Sequence, residues 1–70
     1  MENKVQKLGI IIKKSRKEQG LTQEQLAAIT GVGIRFIREL EQGKESCHIG
    51  KVFMVLSMLG IDTIINGEKL

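Results

Sequence analysis

Apolar positions recur at helical spacing in four stretches of the chain, and glycines rather than prolines separate them. Val5, Leu8, Ile12 and Ser15 fall three or four apart, which places them on one face of a helix over 3–19. Asn3 or Glu2 caps that helix and Gly20 ends it. A second helix opens at Thr22, where Thr22 and Gln25 form the T-x-x-Q capping box. Leu26 and Ala27 face inward from it, and Ala27 and Ala28 permit close helix approach. Gly31 ends it in a left-handed turn, and Val32 plugs the elbow. A third helix covers 33–42. It directs Ile37 and Leu40 to the core with Val32, leaves Ile34, Arg35, Arg38 and Glu39 outward, and closes at Gly43. Residues 44–48 form a loop. A fourth helix covers 49–59, with Ile49, Val52, Phe53, Leu56 and Leu59 as its apolar stripe and Gly60 as its stop. The last ten residues, IDTIINGEKL, are rich in β-branched side chains and read as one short strand. With no second strand expected, it packs loosely or pairs with another chain.

The pattern predicts an all-α fold: a compact domain over 1–60 with a strand or tail over 61–70. Within it, 21–44 has the layout of two short helices joined by a tight turn. That is the layout of a helix-turn-helix, a motif in which the second helix enters the major groove of DNA.

Composition sharpens this picture in a few respects. The chain has 70 residues, 41% of them hydrophobic, and no proline, which fits one small globular domain rather than a disordered segment. With no Trp or Tyr and only Phe36 and Phe53 as aromatics, the core is aliphatic. So small a core makes dimerisation a natural second source of stability. The net charge of +3 and pI of about 9.3 permit an anionic partner without requiring one. Lys13, Lys14, Arg16 and Lys17 crowd the end of the first helix. They either complement its dipole or form a phosphate-facing edge. Scarce aromatics argue against single-stranded nucleic acid, which is held by stacking.

Cys47 is the only cysteine, so no internal disulfide forms and a reducing cytoplasm is expected. Apolar runs are too short to span a bilayer, and the start of the chain does not read as a secretory signal. An enzyme is not expected. Cys47 and His48 are adjacent but have no evident third group, and one thiol with one imidazole makes a poor metal site. Both read as loop residues. No cofactor and no metal is expected.

The run LGIIIKKSRKEQGLTQEQLAAITGVGIRFIRELEQGK resembles the Xre/Cro-type helix-turn-helix repressors. The matching positions are Leu8-Gly9, Ile12, Arg16, Gly20-Leu21-Thr22-Gln23, Leu26-Ala27, Gly31-Val32, Ile37, Leu40-Glu41 and Gly43-Lys44. GVGIRFIRELEQGK, followed by KVFMVLSMLG and a short strand, is most similar to the HipB-type antitoxin repressors, partners of HipA-type kinases. The resemblance implies a four- to five-helix, lambda-repressor-like domain that represses transcription as a homodimer on an inverted-repeat operator in double-stranded DNA. It also implies a possible HipA-like kinase toxin as partner, and a C-terminal strand, with Ile61, Thr63, Ile64 and Ile65, that pairs across the dimer. Other readings are a stand-alone regulator of the Xre type, or a protein-binding module that has lost its DNA.

Position by position, the resemblance puts Gly33, Ile34, Arg35, Arg38 and Glu39 at the bases. Thr22, Gln23, Gln42, Gly43 and Lys44 fall at the DNA backbone. Arg16 and Glu41 match a pair that forms a salt bridge in many relatives. The chemistry of these residues fits unevenly. Arg35 can donate to both N7 and O6 of guanine, a contact worth roughly 1–3 kcal/mol of discrimination. Arg38 can do the same or bind a phosphate. Ile34 suits a thymine methyl group. Glu39 either accepts from cytosine N4 or pairs with Arg35 one turn away, and repulsion between an unpaired carboxylate and phosphates favours the pairing. Gly33 stands where the family commonly has Ser or Thr, and Ser15 where a larger aliphatic is usual. Ile10 and Ile11 stand where charge is usual. Either a shifted helix face buries one of the two isoleucines, or they meet a partner protein.

Overall fold

A computed structural model describes residues 3–70. It contains α1 (Lys4–Glu18), α2 (Gln23–Thr30), α3 (Ile34–Glu41), α4 (Ile49–Met58), β1 (Ile64–Ile65) and β2 (Glu68–Lys69). Side chains fix where the helices start. Asn3 accepts the Gln6 backbone N–H at 2.8 Å, and the Gln6 side chain accepts the Asn3 N–H at 3.1 Å. Asn3 is therefore the cap; Glu2 lies outside the described residues. Thr22 and Gln25 make the same reciprocal pair at 3.0 and 2.8 Å. His48 was expected to be a plain loop residue. Its Nδ1 accepts the Lys51 N–H at 3.3 Å and caps α4.

The core is one aliphatic cluster. Ile12 of α1, Leu26 and Ala27 of α2, Val32, and Ile37 and Leu40 of α3 pack with Val52, Val55, Leu56 and Leu59. The expected stripe on α4 needs correcting. Val55 is fully buried, whereas Ile49 and Phe53 are exposed. Residues 52, 55, 56 and 59 form the inward face. Ile49 lies in the first turn of α4, and Phe53 sits at the edge of the face, beside Ile61 and Leu70.

Neither Ile10 nor Ile11 reaches the core; both are exposed. The buried positions of α1 are instead Gly9, Ile12 and Arg16. Gly9 explains why. A Cβ there would lie 2.5 Å from the Leu40 carbonyl oxygen and 2.8 Å from that of Glu41. The backbone of α1 thus rests directly on the last turn of α3, with no room for a side chain between them.

The C-terminus also departs from expectation. A second strand exists: Ile64 pairs with Lys69 and Ile65 with Glu68, antiparallel. Asn66 and Gly67 join them with φ of 51° and 80°. Two consecutive positive φ values are the signature of a type I′ hairpin turn, which Asn-Gly favours. β1 therefore finds its partner within the chain. Ile64 and Ile65 nonetheless remain exposed. No helix among the described residues is long and apolar enough to cross a membrane.

Candidate nucleic-acid interface

The turn between α2 and α3 is held from inside. The Thr30 hydroxyl donates to the Leu26 carbonyl at 2.7 Å and accepts the Val32 N–H at 3.4 Å. Gly31, at φ 78°, donates its N–H to the Ala27 carbonyl at 2.9 Å. A left-handed residue is required there, and glycine adopts that conformation without a Cβ penalty. Val32 is buried in the elbow. These contacts set the angle at which α3 leaves α2.

On α3, Ile37 and Leu40 are fully buried. The Arg35 side chain is 89% exposed, and Arg38 also reaches solvent, with a nitrogen 4.0 Å from Glu24. Ile34 is half-buried against the core rather than wholly outward. Gly33 starts the helix without a side-chain cap.

The far end of α3 is anchored to α1. Arg16 Nε lies 2.6 Å from Glu41 Oε2, and a terminal Arg16 nitrogen lies 3.0 Å from Glu41 Oε1. The other terminal nitrogen donates to the Leu21 carbonyl at 2.8 Å. Both side chains are buried, 8% and 3% exposed. The hydrogen bond to Glu41 raises the Arg16 pKa further above its ordinary value, despite burial, so the guanidinium keeps its proton. Gln23 joins this pair. Its side-chain amide donates to Glu41 Oε1 at 3.0 Å. A primary amide has two N–H donors, so one remains for a ligand.

Beyond α3, the Gly43 N–H bonds the Leu40 carbonyl at 3.1 Å and the Lys44 N–H bonds that of Glu39 at 3.0 Å. This closure swings Lys44 back beneath Glu39, and the ammonium pairs with Glu39 Oε2. Arg35 Nε lies 3.3 Å from Glu39 Oε1. One carboxylate therefore holds two cations. The Glu39 carboxyl is held below the ordinary glutamate pKa, first by its hydrogen bond to Lys44, with smaller contributions from the charges of Lys44 and Arg35.

The model of the family described as "Helix-turn-helix" matches residues 12–65. The chain belongs to the helix-turn-helix family. Over 64 residues it is 48% identical to the uncharacterised HTH-type transcriptional regulator y4mF of Sinorhizobium fredii, spanning 89% of this chain and 84% of that protein. Two solved structures share the fold. One is described as "MDT Protein" and the other as "Structure of HipA-HipB-O2-O3 complex". Each matches over 93% of this chain and 92% of the other, with a TM-score of 0.81 and 22% identity. The protein is a DNA-binding transcriptional regulator of the helix-turn-helix type.

Within this helix-turn-helix domain, the remaining expected site residues are placed as follows. The Thr22 hydroxyl is engaged by the Gln25 N–H. Gln42 is exposed at the end of α3, and Gly43 is half-buried. A Cβ on Gly43 would lie 2.8 Å from Gln6 Cγ, so α1 presses on the loop as well as on α3. Ile61 and Thr63 are half-buried beside the exposed hairpin. Cys47 donates from Sγ to the Lys44 carbonyl at 3.1 Å, and burial pushes its thiol pKa up, which makes it a poor nucleophile. Sequence reasoning overlooked the Glu39–Lys44 pair and the Gln23–Glu41 bond. A signal for the first was available, since a Gly two residues past a helix end folds the next residue back over the last turn.

Proposed function

We propose that the protein is a dimeric repressor that reads an inverted-repeat operator with α3 and serves as antitoxin and autoregulator beside a HipA-type kinase toxin. The observation that carries the DNA reading is the division of α3. Ile37 and Leu40 lock one side into the core while Arg35 and Arg38 project toward solvent on the other. Arg35 and Arg38 read bases in the major groove, with Gly33, Ile34 and Glu39 lining the same approach. Thr22, Gln23, Gln42 and Gly43 attach to the backbone, with Lys44 at the same edge but paired to Glu39. At the start of α2, free N–H groups and the second Gln23 amide hydrogen suit a phosphate oxygen. Two copies place their α3 helices in successive major grooves about 34 Å apart. The exposed Ile64 and Ile65, with Ile61 and Thr63, form the contact between copies.

The antitoxin role is supported by the likeness of fold to a chain in a HipA-HipB complex, together with the resemblance of 31–44. A stand-alone regulator is the second reading, favoured by the name of the y4mF relative, which mentions regulation alone. Isolation of the protein from its host with its bound partners separates the two, because a co-purifying kinase supports the antitoxin role and its absence favours the other. The DNA reading is tested with Arg35→Ala. It weakens operator binding by roughly 1–3 kcal/mol and flattens preference at one base pair. Equal loss on random DNA sinks the assignment.

A further inference from the structure

Glu39, Arg35 and Lys44 form a cluster whose anion is its fixed member. The Glu39 side chain is 27% exposed, against 48% for Lys44 and 89% for Arg35. Its two oxygens are divided, Oε1 facing Arg35 Nε at 3.3 Å and Oε2 meeting the Lys44 ammonium. The division has different consequences for the two cations. A guanidinium has five N–H donors, and its Nε contributes one. Pairing at Nε leaves both terminal nitrogens for N7 and O6 of guanine, and it limits the directions in which they point. Lys44 carries its charge on one ammonium, and although that group keeps two further N–H donors, its charge is already offset by Glu39. The same lysine is tethered further by its backbone N–H on the Glu39 carbonyl.

We propose that Glu39 is a positioning residue that sets sequence selectivity, aiming Arg35 at a guanine while withholding Lys44 from phosphate. The inference rests on α3 being the groove-reading helix. Binding to arbitrary DNA consists almost wholly of phosphate contacts, each contributing a salt slope of about 0.9. At about 0.1 M salt, one withheld contact therefore corresponds to about an eightfold loss of affinity. Cognate binding suffers the same loss at Lys44 but gains from an Arg35 already oriented. Glu39 thus weakens attachment to the wrong sequences more than to the right one.

The test uses the full chain. Wild-type protein selects a preferred duplex from a random pool, and a shuffled duplex of equal length and composition serves as reference. Binding to both is measured between about 50 and 200 mM salt. Glu39→Gln is expected to tighten binding to the shuffled duplex about eightfold per protomer and to steepen its salt slope by about one. Affinity for the selected duplex changes by less than about threefold, and preference at the base pair read by Arg35 flattens. Adding Lys44→Ala to Glu39→Gln abolishes the gain on shuffled DNA. Glu68→Gln, an equal charge change on the hairpin, produces neither effect. Equal tightening on both duplexes overturns the proposal, because Glu39 would then act through net charge alone. Loss of preference at a different base pair also overturns it, because Glu39 would itself read a base. If the wild type selects no sequence, the groove-reading role of α3 fails, and that outcome is seen before any variant is made.

Discussion

Replacing Glu41 by alanine strands a buried cation. The Arg16 side chain is 8% exposed and that of Glu41 3%. The carboxylate receives two contacts from Arg16, at 2.6 and 3.0 Å, and one from Gln23 at 3.0 Å. After its removal, the Leu21 carbonyl at 2.8 Å is the sole partner of Arg16 among these bonds. The arginine cannot escape by losing its proton. Breaking a buried pair from one side costs about 3–5 kcal/mol. A domain of 70 residues has about 3.5–10 kcal/mol in total at typical values per residue. Glu41→Ala therefore removes a large fraction of the stability, and at the lower end of the range all of it. The assay is urea denaturation followed by circular dichroism at fixed protein concentration, since association would shift the midpoint. A loss below about 1 kcal/mol would refute the reasoning, because Arg16 would then have turned into solvent and the pair would be worth no more than a surface one. A double variant, Arg16→Met with Glu41→Leu, removes both charges and should recover most of the stability. It should still bind DNA weakly, because Gln23 has lost the acceptor that positions it.

Three other expectations are each open to one measurement. Gly9→Ala should destabilise by up to about 2 kcal/mol in thermal unfolding, the net of about 1–3 kcal/mol of overpacking against the Leu40 and Glu41 carbonyls and a helix-propensity gain of about 1 kcal/mol; a rise in melting temperature would show that α1 can retreat from α3. The lowered pKa of Glu39 means that its ion pairs stabilise the fold at neutral pH and lose that effect as pH falls through the lowered value. An NMR titration should place the Glu39 midpoint below that of a free glutamate, moving upward in Lys44→Ala; an unmoved midpoint would assign the shift to another group. Ile64→Lys with Ile65→Lys should give monomers at micromolar concentration by sedimentation while leaving the helical signal intact, and surviving dimers would direct attention to the exposed Ile10 and Ile11.

Local chemistry was legible in the sequence, and distant geometry was not. The α2 start and the Gly31 turn depend on residues within a few positions of each other, and both are found at the expected places. The end of the chain shows the limit of periodicity. Strands of two residues have no alternation to read, so only the Asn66-Gly67 pair could have announced them. On α4 the spacing of apolar residues admitted several faces. The choice of Val55 over Phe53 was made by the packing of α4 against α2. Of the two readings of Ile10 and Ile11, the one that buries either of them failed for a similar reason. A glycine, not an apolar side chain, marks the closest contact of α1. Arg16 and Glu41 stand 25 residues apart, and nothing in either neighbourhood announces the pair; only the family resemblance suggested it. The shared carboxylate of Glu39 could not be foreseen from i,i+4 spacing, because Lys44 reaches it through the helix closure rather than along the helix.

The shortness of α3 limits how much it can say. Eight residues make about two turns, and with Ile37 and Leu40 turned inward, the proposed groove reading leaves Ile34, Arg35 and Arg38 to discriminate. If each distinguishes one base pair fully, three of them separate about sixty sequences. A genome offers about 10⁶ or more competing sites. The shortfall is a matter of information rather than affinity, and tighter binding does not reduce it. A second copy on the same duplex, as proposed, would multiply the vocabulary to about four thousand words. The remainder falls to the stiffness and groove width of the intervening DNA, which no residue of α3 touches.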